Sequence, residues 1–358
     1  MITSKIKSRK KMAEYRRNIL WSERTKFGFY QATDHFFGRQ RGFRMFQSSR
    51  RKLYKKLHER LKKQEVGELF PVERVSNISL KDFKKKYIAK GKPVIIEGGA
   101  KDWGAVENWS HEYFKDLYGD EEVLYVDYEN HAKFERLTLG EIIDGIRGKH
   151  GKYYRFYPLL QRHPEHINDF DYNWLKACRH KINWNENFNV FIGGEGSSSP
   201  LHNSFSNNIF IQISGEKEWV IYPPYYSVIF DPDPAMNMYR GVSERQGDRF
   251  DPFNPDYEKH PLFKYIDGYK VTLKPGDILY NPPYWWHAVR NPSDSIGVGY
   301  RWFPPLHCLR KAPLYFSLDL MVRKPPIWKA LKLANKDINL VQLASTGKLD
   351  EYYKELNK

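Results

Sequence analysis

Gly193-Gly194-Glu195-Gly196-Ser197-Ser198-Ser199-Pro200-Leu201-His202-Asn203-Ser204, together with Tyr284-Trp285-Trp286-His287 further on, decides how this chain is read. Each stretch brings one histidine to a strand-like segment beside a proline-containing turn. Two histidines framed this way are what a small barrel uses to converge on one metal ion. Iron outside haem prefers two imidazoles and a carboxylate, and the carboxylate often lies two residues after the first histidine. That position is Ser204. Of the 12 histidines, only His202 and His287 carry such frames, and each of the others reads as an ordinary surface or core residue.

The segments around them supply walls for such a barrel. Residues 207–213 and 218–224 read as the arms of a hairpin closed by Ser214-Gly215-Glu216-Lys217. Lys217, at the start of the return arm, is placed to point inward, and a buried lysine needs an anion. The plainer reading is a surface lysine at a turn. Lys274-Pro275-Gly276-Asp277 launches the strand that leads to the His287 frame. From residue 188 onward, 189–192, 208–213, 218–222, 269–273, 277–280, 288–291 and 295–303 are short, apolar or aromatic, and divided by Gly, Pro, Asn and Asp. That is the pattern of a sandwich or jelly-roll barrel. Residues 225–261 are polar and lack periodicity, which suits an insertion over the barrel mouth. After Pro313 the pattern turns helical, over 315–322 and 327–334.

With 358 residues, one large domain with appendages is expected rather than two equal ones. Aromatic residues make up 16%, in keeping with a β-rich core. Cys178 and Cys308 are too few and isolated for a disulfide framework. With no apolar run of spanning length and no secretory pattern at the N-terminus, a cytoplasmic location is expected. Charge is unevenly spread. Residues 1–65 hold ten Lys and ten Arg against Glu14, Glu23, Asp34, Glu59 and Glu65, which accounts for nearly all of the chain's net +16. Helices are expected over 5–23 and 49–65, the second with Leu53, Leu57 and Leu61 at four-residue spacing. Two readings stand side by side: the leucine stripe packs on the body, or the arm is a separable surface for a polyanion, either RNA or ribosome or an anionic membrane face. The second would make the protein peripheral to a ribosome or membrane.

Residues 193–202, the 212–217 hairpin, Tyr222-Pro223-Pro224, and Gly276-Asp277 through Tyr284-Trp285-Trp286-His287 together resemble the cupin-like branch of the JmjC oxygenases. This is the branch of the asparaginyl hydroxylase acting on hypoxia-inducible factor. The resemblance implies a mainly β fold, a double-stranded β-helix (cupin or jelly-roll) barrel over residues 66–310. A basic helical arm would precede it over 1–65, and a helical segment over 311–358 would follow as a candidate homodimer interface. It implies Fe(II) and 2-oxoglutarate as cofactors. Matched residue by residue, His202 and His287 would bind the metal and Lys217 the far carboxylate of 2-oxoglutarate. Ser199 and Asn208 would lie beside the cosubstrate and iron, and Tyr154, or its neighbour Tyr153, would contact the cosubstrate. Tyr300 stands where the family often has an asparagine.

Ser204 departs from the pattern and leaves three readings. The metal is held by two histidines plus cosubstrate, or another acid such as Glu195 substitutes, or metal binding is lost. The implied activity is 2-oxoglutarate-dependent hydroxylation of a macromolecule, with ribosomal protein or RNA favoured by the basic arm. The alternative is a catalytically inactive binding or adaptor protein.

Overall fold

Alternation of side chains along β-strands, one to each face, sets this architecture. The computed structural model describes residues 15–127, 133–146, 153–232, 240–241, 250–323, 325–334, 336, 340, 343 and 348–356. The strands begin with β1 (Leu69–Pro71), β2 (Arg74–Val75), β3 (Val94–Ile96), β4 (Glu122–Asp127), β5 (Lys133–Thr138), β6 (Tyr153–Tyr157), β7 (Trp184–Gly193) and β8 (Ser198–Asn203). There follow β9 (Asn207–Ser214), β10 (Lys217–Tyr222), β11 (Arg240–Gly241), β12 (Gly268–Leu273), β13 (Ile278–Asn281), β14 (Trp286–Arg290) and β15 (Ser295–Phe303). One sheet runs β1-β12-β10-β14-β8-β11 and the second β2-β3-β13-β9-β15-β7-β6, while β4 and β5 pair separately. Their inner faces meet through Phe210, Leu279, Trp219, Ile221, Tyr269 and Val271. Two largely antiparallel sheets packed face to face are the jelly-roll expected from the sequence.

The parity of β9 and β15 shapes the lumen. Ile209, Ile211 and Ile213 of β9 and Ile296, Val298, Tyr300 and Trp302 of β15 join the core on the outer side of the second sheet. Helices α4 (Leu139–Ile146) and α5 (Tyr172–Cys178) cover that face, burying Ile142, Ile143 and Leu175. The intervening residues, Asn208, Phe210 and Gln212 on β9 and Gly297, Gly299 and Arg301 on β15, turn inward. Both glycines are required by space. A Cβ on Gly297 would collide with the Phe210 ring, and one on Gly299 would lie 2.9 Å from Asn208 Oδ1.

The outer face of the first sheet is covered by the N-terminal helices α1 (Trp21–Phe37), α2 (Arg39–Met45) and α3 (Gln47–Leu61). Phe27, Leu57 and Leu61 pack there against Val220, Trp286 and Ala288. Four arginines of this segment form ion pairs within the fold. Asp34 is fully buried between Arg39 and Arg50, with Arg50 at 2.6 Å, and Arg39 also reaches Asp231 at 2.6 Å. Arg16 meets the buried Asp267 at 3.1 Å, and Arg60 meets Glu23 at 2.5 Å. Of the two readings of this segment, the leucine stripe does pack on the body: these helices are one wall of the fold, because leucines at helical spacing need an apolar surface and the first sheet has one. Of the helix expected over 5–23, residues 15–20 are not helical and 21–23 open α1, while residues 5–14 lie outside those described.

At the other end, α6 (Pro305–Lys311), α7 (Pro313–Leu320) and α8 (Ile327–Ala334) follow β15 and bury Cys308, Tyr315 and Leu333 against Tyr284 and Phe303. The insertion after Tyr225 contributes β11, which pairs with the end of β8 so that Gly241 lies opposite His202; residues 233–239 and 242–249 lie outside those described. Among the described residues, no helix is long and apolar enough to cross a membrane.

Candidate active site

His202 lies near the end of β8 and His287 near the start of β14, and antiparallel pairing makes them cross-strand partners. Their ring centroids are 4.3 Å apart, within the reach expected of such partners on one face. Trp219 of β10 stacks on the other side of His287, 5.4 Å between centroids and 26° between planes. His202 Nδ1 lies 2.7 Å from the Pro200 carbonyl and His287 Nδ1 3.0 Å from that of Trp285. A carbonyl only accepts, so each Nδ1 carries the hydrogen, the Asn281 amide 3.3 Å from His287 Nδ1 turning its otherwise unmatched Oδ1 to that ring, and each Nε2 carries the lone pair that a metal uses. Burial pushes His202 down to about 4, opposed by its bond to Pro200 and reinforced by Arg301 and Arg155. Burial, and then the neighbouring His202, hold His287 well below the ordinary imidazole value. Both rings are neutral at pH 7, as ligands must be.

The third place differs. Ser204 Oγ accepts from Ser206 N at 3.4 Å, and its carbonyl accepts from Tyr284 N at 2.7 Å. Glu195 is exposed on the turn after β7, its amide donating to Asp294 Oδ1, and does not replace the missing acid. Among the described residues no three of His, Cys, Asp or Glu converge. The donor set fits a metal held by two imidazoles with its remaining positions left to cosubstrate or water. It does not fit a two-histidine, one-carboxylate triad.

Lys217, fully buried, donates from Nζ to Asn291 Oδ1 and to Ser295 Oγ at 3.1 Å. Its ammonium lies 5.3 Å from the centre of the Tyr153 ring. Burial, and then Arg155, push Lys217 down to about 7. The Ser199 side chain lies beside the Tyr153 hydroxyl, and Arg155 covers the Tyr153 ring at 4.9 Å while donating to Ser198 O at 2.6 Å. Lys217, Tyr153 and Ser199 thus gather at one spot. Tyr154, the expected contact, faces the outer core against Tyr125 and Tyr157. The correction to Tyr153 follows from strand geometry, because adjacent residues point to opposite faces.

Asn208 faces inward, and its buried Oδ1 has no hydrogen-bond partner among the described residues. Across the ladder it is paired with Arg301. Tyr300 points outward and donates to Glu186 Oε1 at 2.6 Å, so Arg301 occupies the inward place that Tyr300 would have needed for a site role. Arg155 and Arg301 were not foreseen, yet both act on His202 and on Tyr153. Their signal was present in the sequence as cations at the inward parity of otherwise apolar strands. The lumen can therefore hold a metal through two imidazoles and an anion through Lys217, Arg155 and Arg301.

Residues 80–307 match the family model described as the cupin-like domain. The chain is 30% identical over 255 residues to JmjC domain-containing protein D of Dictyostelium discoideum, covering 63% of this chain and 55% of that one. It is 29% identical to lysine-specific demethylase 8 of Xenopus tropicalis, covering 63% and 51%. It is 23% identical to the bifunctional peptidase and (3S)-lysyl hydroxylase JMJD7 of Homo sapiens, covering 66% and 84%. The chain thus spans about half the length of the first two relatives. With the jelly-roll and its histidine pair in place, the match over residues 80–307 puts this chain in the cupin-like domain family, among relatives of the JmjC hydroxylases and demethylases.

Proposed function

We propose that this protein is a 2-oxoglutarate-dependent oxygenase that holds iron(II) through His202 and His287 alone and oxidises a macromolecule. The observation that carries this reading is the pair of neutral imidazoles, each with Nδ1–H tied to a carbonyl and Nε2 left to a metal. Iron bound there would supply oxygen activation coupled to decarboxylation of 2-oxoglutarate. Lys217 holds the far carboxylate of the cosubstrate by a charge-assisted hydrogen bond, with Ser199 and Tyr153 beside it. Asn208 turns its unmatched Oδ1 toward the same lumen. Arg155 and Arg301 offset the charge of a dicarboxylate. Relatives named as a lysyl hydroxylase and as lysine-specific demethylases support a protein-sized substrate, and the basic N-terminal segment favours ribosomal protein or RNA.

Anaerobic calorimetry with manganese(II) as a redox-silent stand-in, with and without 2-oxoglutarate, tests the reading. Metal and cosubstrate should bind together, each strengthening the other, and His202→Ala should remove the metal term. The missing carboxylate favours a second reading, a binding module without catalysis. Cosubstrate binding that is indifferent to metal, with no succinate formed in the presence of iron, would select it.

A further inference from the structure

Outside the barrel lumen, α1, the segment before it and α6 enclose a cleft of about 680 Å³ against the turn that leads into β14. Its size falls within the roughly 300–1,000 Å³ of pockets that bury small ligands. Arg17, Arg24, Lys90, Arg310 and Lys311 line it, and no Asp or Glu does. All five are exposed, and none pairs with a carboxylate among the described residues. This sets them apart from Arg16, Arg39, Arg50 and Arg60, whose charge is used within the fold. Aromatic rings lie among the cations. Tyr15, Tyr225 and Trp285 form a wall, with Tyr15 and Trp285 meeting edge to face at 6.3 Å and Arg24 5.1 Å from the Tyr225 ring centre. Trp21 stands at the rim, 78% exposed.

One histidine is packed behind this lining. His307, only 8% exposed, lines the cleft, and its Nε2 has no hydrogen-bond partner among the described residues. That nitrogen faces the bare backbone of Gly91, where a Cβ would come within 3.2 Å. Burial, and then His180, keep the ring neutral, so it adds no charge to that of the five cations.

We propose that this cleft binds a segment of single-stranded nucleic acid, with phosphates on the five cations and a base against the aromatic wall. This deepens the reading of the protein as one that acts on a macromolecule and rests on it for its purpose. Single strands are held by this combination of a cationic groove and stacking rings. A bilayer would instead call for a convex apolar face, whereas here the charge surrounds a concavity. The Pro282–Pro283–Trp285 wall belongs to the turn whose Trp285 carbonyl fixes His287, so a strand in the cleft lies against the element that sets the metal site.

The test is fluorescence anisotropy of labelled oligouridylate and oligoadenylate with the full chain, without iron or 2-oxoglutarate, so that its failure leaves the oxygenase reading standing. Combining Arg24→Glu with Lys311→Glu should weaken binding at least about tenfold at low salt. Trp21→Ala should weaken it by about fivefold or more through lost stacking. Combining Arg51→Glu with Lys55→Glu, on the exposed side of α3, should change it little, and circular dichroism should confirm that all variants fold. The proposal is overturned if the wild type binds neither oligonucleotide at low salt, or if the α3 pair costs as much as the cleft pair. It is also overturned if anionic phosphatidylglycerol vesicles, and not oligonucleotides, show the dependence on Arg24 and Lys311.

Discussion

Replacing Lys217 with methionine should make the protein more stable and unable to hold its anion. The ammonium is fully buried, and burial followed by Arg155 lowers its pKa from 10.5 to about 7. At about 1.4 kcal/mol per pKa unit, carrying the charge in the folded state costs about 5 kcal/mol below pH 7. The sign follows from proton linkage. The unfolded chain holds more protons than the folded one between about pH 7 and the ordinary lysine value, so native stability rises with pH across that window. Methionine fills similar volume without charge. It forfeits the bonds to Asn291 and Ser295, about 1.5 kcal/mol each while the lysine is charged and about 1 kcal/mol each once it is neutral, and Asn291 Oδ1 keeps Ser295 Oγ as a donor at 3.0 Å. Lys217→Met should therefore gain about 2 kcal/mol at pH 6, and the gain should shrink toward zero by about pH 9. Urea unfolding at the two pH values measures it. In the same samples, 2-oxoglutarate affinity should fall about 10- to 150-fold, the equivalent of one lost charge-assisted bond. A variant less stable by the same amount at both pH values, with unchanged 2-oxoglutarate affinity, would refute both the burial argument and the role of Lys217.

Other outcomes are as specific. Ser204→Asp should raise manganese(II) affinity at least about tenfold, because a carboxylate completes the donor set that iron prefers; equal affinities by anaerobic titration would place the third ligand elsewhere. Tyr153→Phe should weaken 2-oxoglutarate binding by about tenfold, the worth of one hydrogen bond, while Tyr154→Phe leaves it unchanged, and the reverse pattern would contradict the inward face assigned to Tyr153. Leu57→Ala should cost about 2–5 kcal/mol in denaturant unfolding, since Leu57 is fully buried against the first sheet. For the same reason a chain lacking residues 1–65 should fail to fold cooperatively, and a cooperative unfolding transition in that chain would show that the N-terminal helices are dispensable.

Much of the fold could be read from spacing alone. The turn residues and apolar runs between 188 and 303 marked strands of which most lie within a residue or two of those observed, because Gly, Pro and Asn restrict the backbone locally; β7 starts five residues earlier than expected, and β8 was not among the expected strands. The His202 and His287 frames were legible for the same reason. The side of the barrel a residue faces was harder to read. Tyr153 and Tyr154 are chemically alike and adjacent, and only pairing with β7 decides which enters the lumen. Arg301 and Tyr300 pose the same problem on β15, where Gly297 and Gly299, having no side chains, hid the parity.

The N-terminal segment divides the two sources of information most clearly. Its composition determined that it is basic and that α3 carries a leucine stripe, both properties of residues close in sequence. Which charges are used and which are offered depended on contacts across more than a hundred residues, such as Arg16 with Asp267 and Arg39 with Asp231. The cleft has the same origin, since Arg24 and Lys311 share a wall only because α1 and α6 meet the same turn. Local sequence determined strands, turns and two well-framed histidines. Tertiary packing decided the direction of each side chain, because facing and pairing are settled only when distant strands and helices close on one another.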